Sequence, residues 1–252
     1  MSATTITSSK PSLTTNDSAV LQALFDAESS PSSAVTVDPN LPKLPAQLGI
    51  SSEEYAALQA REKETITPLA STTQPTPGAS QIQSAISALD AIIKEYPKYP
   101  SAYANRAQAL RMLIDDEDES NQKSASETAS LLSSLLSDLG EAITLATPLS
   151  PVDAVSPTQA RLLADTHTHR AYLLLKISRQ LKTGDEHDVK NVPGTLKAIG
   201  SEGLEEMASR DFFFGGRYGN KVAQQMAVQT NPYAKMCGAI VKEAMRKEAQ
   251  GV

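Results

Sequence analysis

This chain of 252 residues has no tryptophan, and aromatic residues make up only 4 % of it. Strands favour aromatic side chains, whereas alanine, leucine and methionine favour helices, so this composition indicates a helical core. The single cysteine, Cys237, excludes an internal disulfide framework and suits a reducing compartment. A formal net charge of −6 argues against nucleic acid as a partner.

Long hydrophobic segments are also missing. No apolar run approaches the ~20 residues that a membrane-spanning helix needs. The first ten residues lack the apolar centre of a signal peptide and the arginines of a transit peptide. We therefore expect no membrane partner. The expected location is the cytoplasm, and the nucleus is a further possibility.

Arrangements typical of catalysis or metal binding are scarce. His167 and His169 are two apart on a predicted helix, so they face different sides, cannot readily share one metal ion, and are expected at the surface or in a groove. Cys237 has no histidine near it in the sequence and is expected in the core rather than as a nucleophile. The acidic run from Asp115 lacks the spacing and the glycine of a calcium loop, which predicts a solvated insert. Residues 215–219 are glycine-rich but lack the Lys-Ser/Thr of a phosphate-binding loop. We expect a non-enzymatic protein without metal or cofactor.

Helical segments separated by proline- or glycine-containing loops organise the rest of the chain. The predicted divisions are a disordered N-terminus (1–16), a docking helix (17–26), a linker (27–50), a first hairpin (51–98), a second hairpin with an acidic insert (99–149), a third hairpin with a polar insert (150–218) and a C-terminal cap (219–252).

The most regular segment is the helix predicted over residues 101–113. Its apolar or small residues recur at helical spacing and form one face: Tyr103, Ala107, Leu110 and Ile114. Pro97 and Pro100 precede it, so Ser101 is the expected N-cap.

Two other segments share a spacing of small and large residues that is typical of the second helix of a tetratricopeptide hairpin. They are Ala85, Leu89, Ile92 and Pro97, and Ala208, Phe212 and Gly215. The small residue allows the first helix to pack closely, and the larger ones fill the space towards the next hairpin. We therefore predict an all-α, tetratricopeptide-type solenoid of about three hairpins.

Four short motifs strengthen this interpretation because they follow one another in a known order. They are NDSAVLQALF at 16–25, SAYANRAQ at 101–108, RDF at 210–212 and NPYAKMC at 231–237. In these motifs the chain resembles the tetratricopeptide repeat protein 36 family, over about two thirds of its length. It departs from the family in the longer inserts between paired helices. The resemblance implies a helical adaptor associated with tyrosine metabolism, where it protects a tyrosine-catabolic enzyme, and with binding to Hsp70-type chaperones.

The predicted binding surface is the concave groove, which the first helices of successive hairpins line in such arrays. The candidate residues are Ser101, Asn105, Gln108 and Arg111 from the second hairpin, and Asp165, His169, Tyr172 and Lys176 from the third. Asn105 stands where a groove asparagine of this fold holds a peptide backbone; the alternative is a side chain that only meets water.

Chaperone binding through a terminal carboxylate requires cations at two positions of the third hairpin, where this chain has Asp165 and His169. Asp165 repels a carboxylate, and histidine is mostly neutral at pH 7. We therefore expect any Hsp70 contact to avoid the terminal carboxylates. The main functional expectation is an adaptor that binds another protein in its groove. The alternative is a structural or regulatory subunit that acts through its inserts and convex face.

Overall fold

A computed structural model describes residues 35–70, 77–115, 124–184 and 189–231, together with residue 246. These residues belong to one compact unit, Val35–Val252. Several predictions lie outside the described residues: the disordered N-terminus, the docking helix at 17–26, the acidic residues 116–119, and the last cap helix with Cys237.

The described part of the chain is all-helical, as predicted. Its seven α-helices are α1 (Ser52–Ile66), α2 (Ala79–Glu95), α3 (Pro100–Asp115), α4 (Ala125–Ala146), α5 (Pro157–Thr183), α6 (Gly194–Arg217) and α7 (Lys221–Thr230). Short 3₁₀ turns occupy Ala46–Leu48 and Thr67–Leu69. Within the described ranges, no helix combines the length and the hydrophobicity that crossing a bilayer requires.

Side-chain caps define where four of these helices begin. The Ser51 and Ser156 hydroxyls accept from the backbone N–H groups of Glu54 and Gln159, whose side chains accept in return from the cap residues. Ser124 caps α4 and Asn220 caps α7 in the simpler way, through one accepted hydrogen bond each.

The start of α3 differs from the prediction. The helix begins at Pro100, so Ser101 lies in its first turn instead of capping it. Proline suits the first helical position because its missing N–H would have no intrahelical partner there. The Ser101 hydroxyl is thereby free to donate to a side chain of another helix.

Consecutive helices pack against one another from α1 to α7, and α3 also touches α5. Three clusters of buried apolar side chains follow this order in the described part of the chain. Leu58 and Leu89 belong to the first cluster, Leu110 and Leu139 to the second, and Phe212 to the third. Each helix therefore buries its apolar face between its neighbours in the chain.

The described part of the predicted linker, residues 35–50, is irregular but packs closely on the helices. Leu44 and Leu48 are buried in the first cluster. Val37 forms an isolated parallel bridge with Val155, and the Ser156 hydroxyl donates to the carbonyl of Lys43 at 2.8 Å. These residues are therefore part of the packed body of the protein, because buried leucines and backbone hydrogen bonds attach them to it.

Gly215 marks a close approach of α6 to its neighbours, at the position where the sequence predicts a small residue. A Cβ atom at Gly215 would lie 2.7 Å from Thr168 Oγ1 of α5 and 3.1 Å from Ala223 Cβ of α7. Neither neighbour can move freely, because Thr168 Oγ1 also donates to the Ala164 carbonyl at 2.6 Å and Ala223 is fully buried.

We expect Gly215→Ala to destabilise the protein by about 1–3 kcal/mol, since overpacking outweighs the helix propensity that alanine gains. Gly140→Ala is the matched control: the same Cβ in α4 would meet only Arg170 Nη1, at 3.8 Å. That control should stabilise by about 0.5–1 kcal/mol. Urea titration of both variants measures the two effects, and a stabilised Gly215→Ala would contradict the close approach.

Candidate functional site

The neighbouring helices α3 and α5 bring most of the predicted groove residues to one place. They line a cleft of about 430 Å³, called here the central cleft. Of the eight candidates, α3 contributes Ser101, Asn105, Gln108 and Arg111, and α5 contributes Asp165, His169 and Tyr172. These residues are widely spaced in the sequence, so their meeting depends on α3 and α5 lying side by side.

A second cleft of about 570 Å³ adjoins the first and is called here the basic cleft. The two clefts share Arg111, His169 and Tyr172, so they are continuous. Lys176, the eighth candidate, lines the basic cleft together with Arg179, which sequence reasoning did not select.

Ser101 and Asn105 face the central cleft but are already engaged within the protein. Glu62 of α1 is only 5 % exposed, and its carboxylate accepts from Asn105 Nδ2 at 2.7 Å and from the Ser101 hydroxyl at 2.9 Å. The Tyr99 hydroxyl donates to the same carboxylate at 2.7 Å. Burial and the Glu62 charge raise the pKa of Tyr99, so the phenol stays protonated and keeps donating.

This network corrects part of the prediction for Asn105. Its side chain does not merely meet water, because its Nδ2 group donates a hydrogen bond to a buried carboxylate. The sequence gives little sign of this network around Glu62. A glutamate on a helix is usually exposed, and the partners of Glu62 lie 37 to 43 residues further along the chain.

Asp211 of α6 forms a second buried network. It is 4 % exposed and accepts from Arg170 through Nε and Nη2, both at 2.7 Å, and its Oδ1 lies 2.8 Å from His167 Nδ1. Burial alone would raise the pKa of Asp211, but the hydrogen bonds and charges of Arg170 and His167 outweigh it and hold the pKa below its usual value.

The same network corrects the prediction for His167. Its side chain was expected at the surface or in a groove, yet the residue is 6 % exposed. Its ring stacks on Phe214 and Tyr218, with centroid distances of 5.3 and 6.1 Å. His167 therefore fixes α5 to α6. No group of three or more His, Cys, Asp or Glu side chains that could hold a metal occurs among the described residues.

Arg106 and Asp138 repeat this arrangement between α3 and α4. Arg106 Nε and Nη2 donate to the two Asp138 oxygens at 2.8 and 2.5 Å, and Arg106 Nη1 donates to Asp90 at 2.6 Å. Like Asp211, Asp138 is 4 % exposed. A bidentate Arg–Asp pair thus joins α3 to α4, and another joins α5 to α6.

The neighbours of the two pairs also correspond. Each arginine directly precedes a fully buried alanine, Ala107 or Ala171, and each aspartate directly precedes a fully buried large residue, Leu139 or Phe212. The two helix pairs therefore share one polar contact and the buried residues directly beside it.

His169 lies where the two clefts meet. Its Nε2 atom is buried and has no hydrogen-bond partner within the described ranges. Burial, together with the positive charge of Arg111, lowers the pKa of His169 to about 4. The imidazole is therefore neutral at pH 7, and the charge of the groove comes from its arginine, lysine and aspartate side chains.

The sequence of this chain is clearly similar to that of a known protein. The chain is 58 % identical over 259 residues to the L-tyrosine degradation gene cluster protein hmgX of Aspergillus fumigatus, a match that covers 100 % of this chain and 99 % of that protein. The chain belongs to the hmgX family. No protein-family model matches the chain. No solved structure matches it either. The name of the Aspergillus hmgX protein places that relative in a gene cluster for L-tyrosine degradation.

Proposed function

We propose that this protein is a non-enzymatic adaptor of tyrosine metabolism that binds another protein in the groove formed by the central and basic clefts. The main observation is that α3 and α5 place all eight candidate groove residues along these two continuous clefts. The link to tyrosine metabolism is supported by the name of the hmgX relative and, independently, by the four motifs of the tetratricopeptide repeat protein 36 family.

The fold that we propose for this function is a tetratricopeptide-type solenoid of about three hairpins, α1–α2, α3–α4 and α5–α6, followed by a cap that begins with α7. Two features support it: each helix packs on the next one in the chain, and the Arg–Asp pair recurs in the second and third hairpins. In such arrays the first helices line the concave surface, which agrees with the position of both clefts between α3 and α5.

The partner that we propose is a tyrosine-catabolic enzyme in the cytoplasm, which the adaptor protects from loss. An Hsp70-type chaperone is the second partner that the family resemblance implies. Asp165 is well exposed in the central cleft and His169 is neutral, so the two positions of the third hairpin that would grip a terminal carboxylate carry no cation. Any chaperone contact would therefore use another part of the chaperone.

A tryptophan in the central cleft tests the proposal. Gln108→Trp adds a bulky side chain to the cleft, and Gln83→Trp adds the same side chain at an exposed position of α2 that lines neither cleft. Tagged protein would be recovered by crosslinking from cells grown on tyrosine, and the partners identified by mass spectrometry. We expect the wild type and Gln83→Trp to retain an enzyme of tyrosine degradation and Gln108→Trp to lose it.

Helical circular dichroism and thermal melts of both variants show that each is folded. Equal recovery of the enzyme by both variants would contradict groove binding. It would favour instead a structural or regulatory subunit that works through its inserts and convex face.

A further inference from the structure

The basic cleft has a charge opposite to that of the whole chain. Among its described lining residues, Arg111, Lys176 and Arg179 face one carboxylate, Asp115, which gives these side chains a formal charge of +2 on a protein of net charge −6. Asp115 lies 3.4 Å from Arg111 and 3.7 Å from Lys176, and both cations remain about half exposed or more. The Asp115 carboxylate therefore lies near two cations and can balance the charge of only one of them.

Arg179 adds a further positive charge to the basic cleft. It is exposed, and no described carboxylate lies within ion-pair distance of its guanidinium. It stands three residues after Lys176 on α5, so the two side chains are neighbours on one helix face. A ligand with several negative charges along its length would match this spacing.

We infer that the basic cleft binds an acidic segment within the chain of a partner protein, rich in aspartate and glutamate. This inference rests on the proposed adaptor function and specifies the chemistry of its partner. The cleft is lined by side chains from the middle and ends of long helices and not by a helix N-terminus, so it lacks the converging backbone N–H groups that typify phosphate sites. Arginine and lysine side chains along an open cleft suit carboxylates that are spread along a peptide.

The continuity of the two clefts supports a peptide as the occupant. Arg111 and Tyr172 line both clefts, so an extended chain that places carboxylates in the basic cleft can continue across the central cleft. Recognition of an internal segment also agrees with the absence of a terminal-carboxylate site at Asp165 and His169.

A synthetic probe tests the inference on the full-length protein. The probe is a fluorescein-labelled peptide of alternating Glu and Asp, about ten residues long and therefore ~33 Å when extended, with blocked ends. Fluorescence anisotropy at low ionic strength measures its binding. We expect binding that weakens as salt is added, and at least about tenfold weaker binding by Lys176→Glu/Arg179→Glu.

The matched control is Lys94→Glu/Lys98→Glu, which changes the net charge equally at two exposed lysines outside both clefts. It should change the affinity by less than about twofold. No binding of the probe by the wild type, or equal losses in both double variants, would overturn the inference.

The chain's own acidic residues 116–119 are a competing occupant, since they follow Asp115 directly. Replacing them with the corresponding amides tests this alternative. Binding of the probe by the amide variant alone would assign the cleft to the chain's own insert and overturn a partner segment. If Gln108→Trp loses the captured enzyme but the wild type does not bind the acidic probe, only this inference is overturned and the adaptor function stands. If the wild type binds the probe but both tryptophan variants capture the enzyme equally well, the adaptor function is overturned instead.

Discussion

Replacing Phe212 with alanine should destabilise the protein by about 3–5 kcal/mol, as other truncations of fully buried phenylalanines do. Phe212 is 0 % exposed in the cluster that joins α5, α6 and α7 and that also contains Ala208 and Ala223. Its ring also meets Tyr172 edge to face, with 5.0 Å between ring centroids. Truncation therefore leaves a cavity that three packed helices cannot fill by small movements.

The adjacent Phe213 provides the control for this prediction. It lies on the same helix and is 50 % exposed, so Phe213→Ala should cost well under about 1 kcal/mol. Urea unfolding followed by circular dichroism compares the two variants. Similar midpoints would show that Phe212 does not hold the three helices together. The sequence predicts this role of Phe212, because the residue occupies the large position of the second-helix spacing.

Asp211→Asn should have an effect of similar size, about 3–5 kcal/mol, because it leaves the Arg170 guanidinium without its charged partner in a mostly buried site. The asparagine keeps the shape of the side chain, so the loss measures charge and hydrogen bonding rather than packing. Asp165→Asn is the control: its ion pair with Arg161 spans 3.7 Å and both side chains are well exposed. That change should cost less than about 0.5 kcal/mol.

The same variant gives a pH dependence of known sign. Because the pKa of Asp211 is lowered on folding, its contribution is complete above the unfolded value of about 3.9 and is lost as pH falls towards the folded pKa. The difference in unfolding free energy between the wild type and Asp211→Asn should therefore be constant near neutral pH and shrink below about pH 4. A constant difference down to pH 3 would contradict a charged Asp211 in the folded protein.

Local signals made the helix positions predictable. Ser51 and Ser156 cap helices through residues only three positions further along the chain, so the sequence itself contains both partners. Pro100 shows the limit of such signals, because a proline before a helix and a proline in its first position look alike. The packed segment at 35–50 was missed for another reason. Its two buried leucines have no periodicity, and only the helices that cover them make them part of the core.

The candidate site was predictable in outline, since Gln108, Arg111, Tyr172 and Lys176 line the clefts between α3 and α5. The roles of the polar residues were not. Asn105 and His167 carry the same side chains whether they face a ligand or a buried carboxylate, and nothing next to them in the sequence distinguishes the two cases.

The sequence by itself determined the helical class, the caps and the spacing that makes Ala208, Phe212 and Gly215 a packing surface, because these depend on residues within about one or two helical turns. The tertiary structure decided which charged side chains are buried and which are exposed to solvent. Glu62 meets Asn105 across 43 residues and Arg170 meets Asp211 across 41, so their pairing exists only once the helices are side by side. Arg111 and Arg179 stay exposed because their helices leave a cleft between them, and that cleft is a property of the packing rather than of any local pattern.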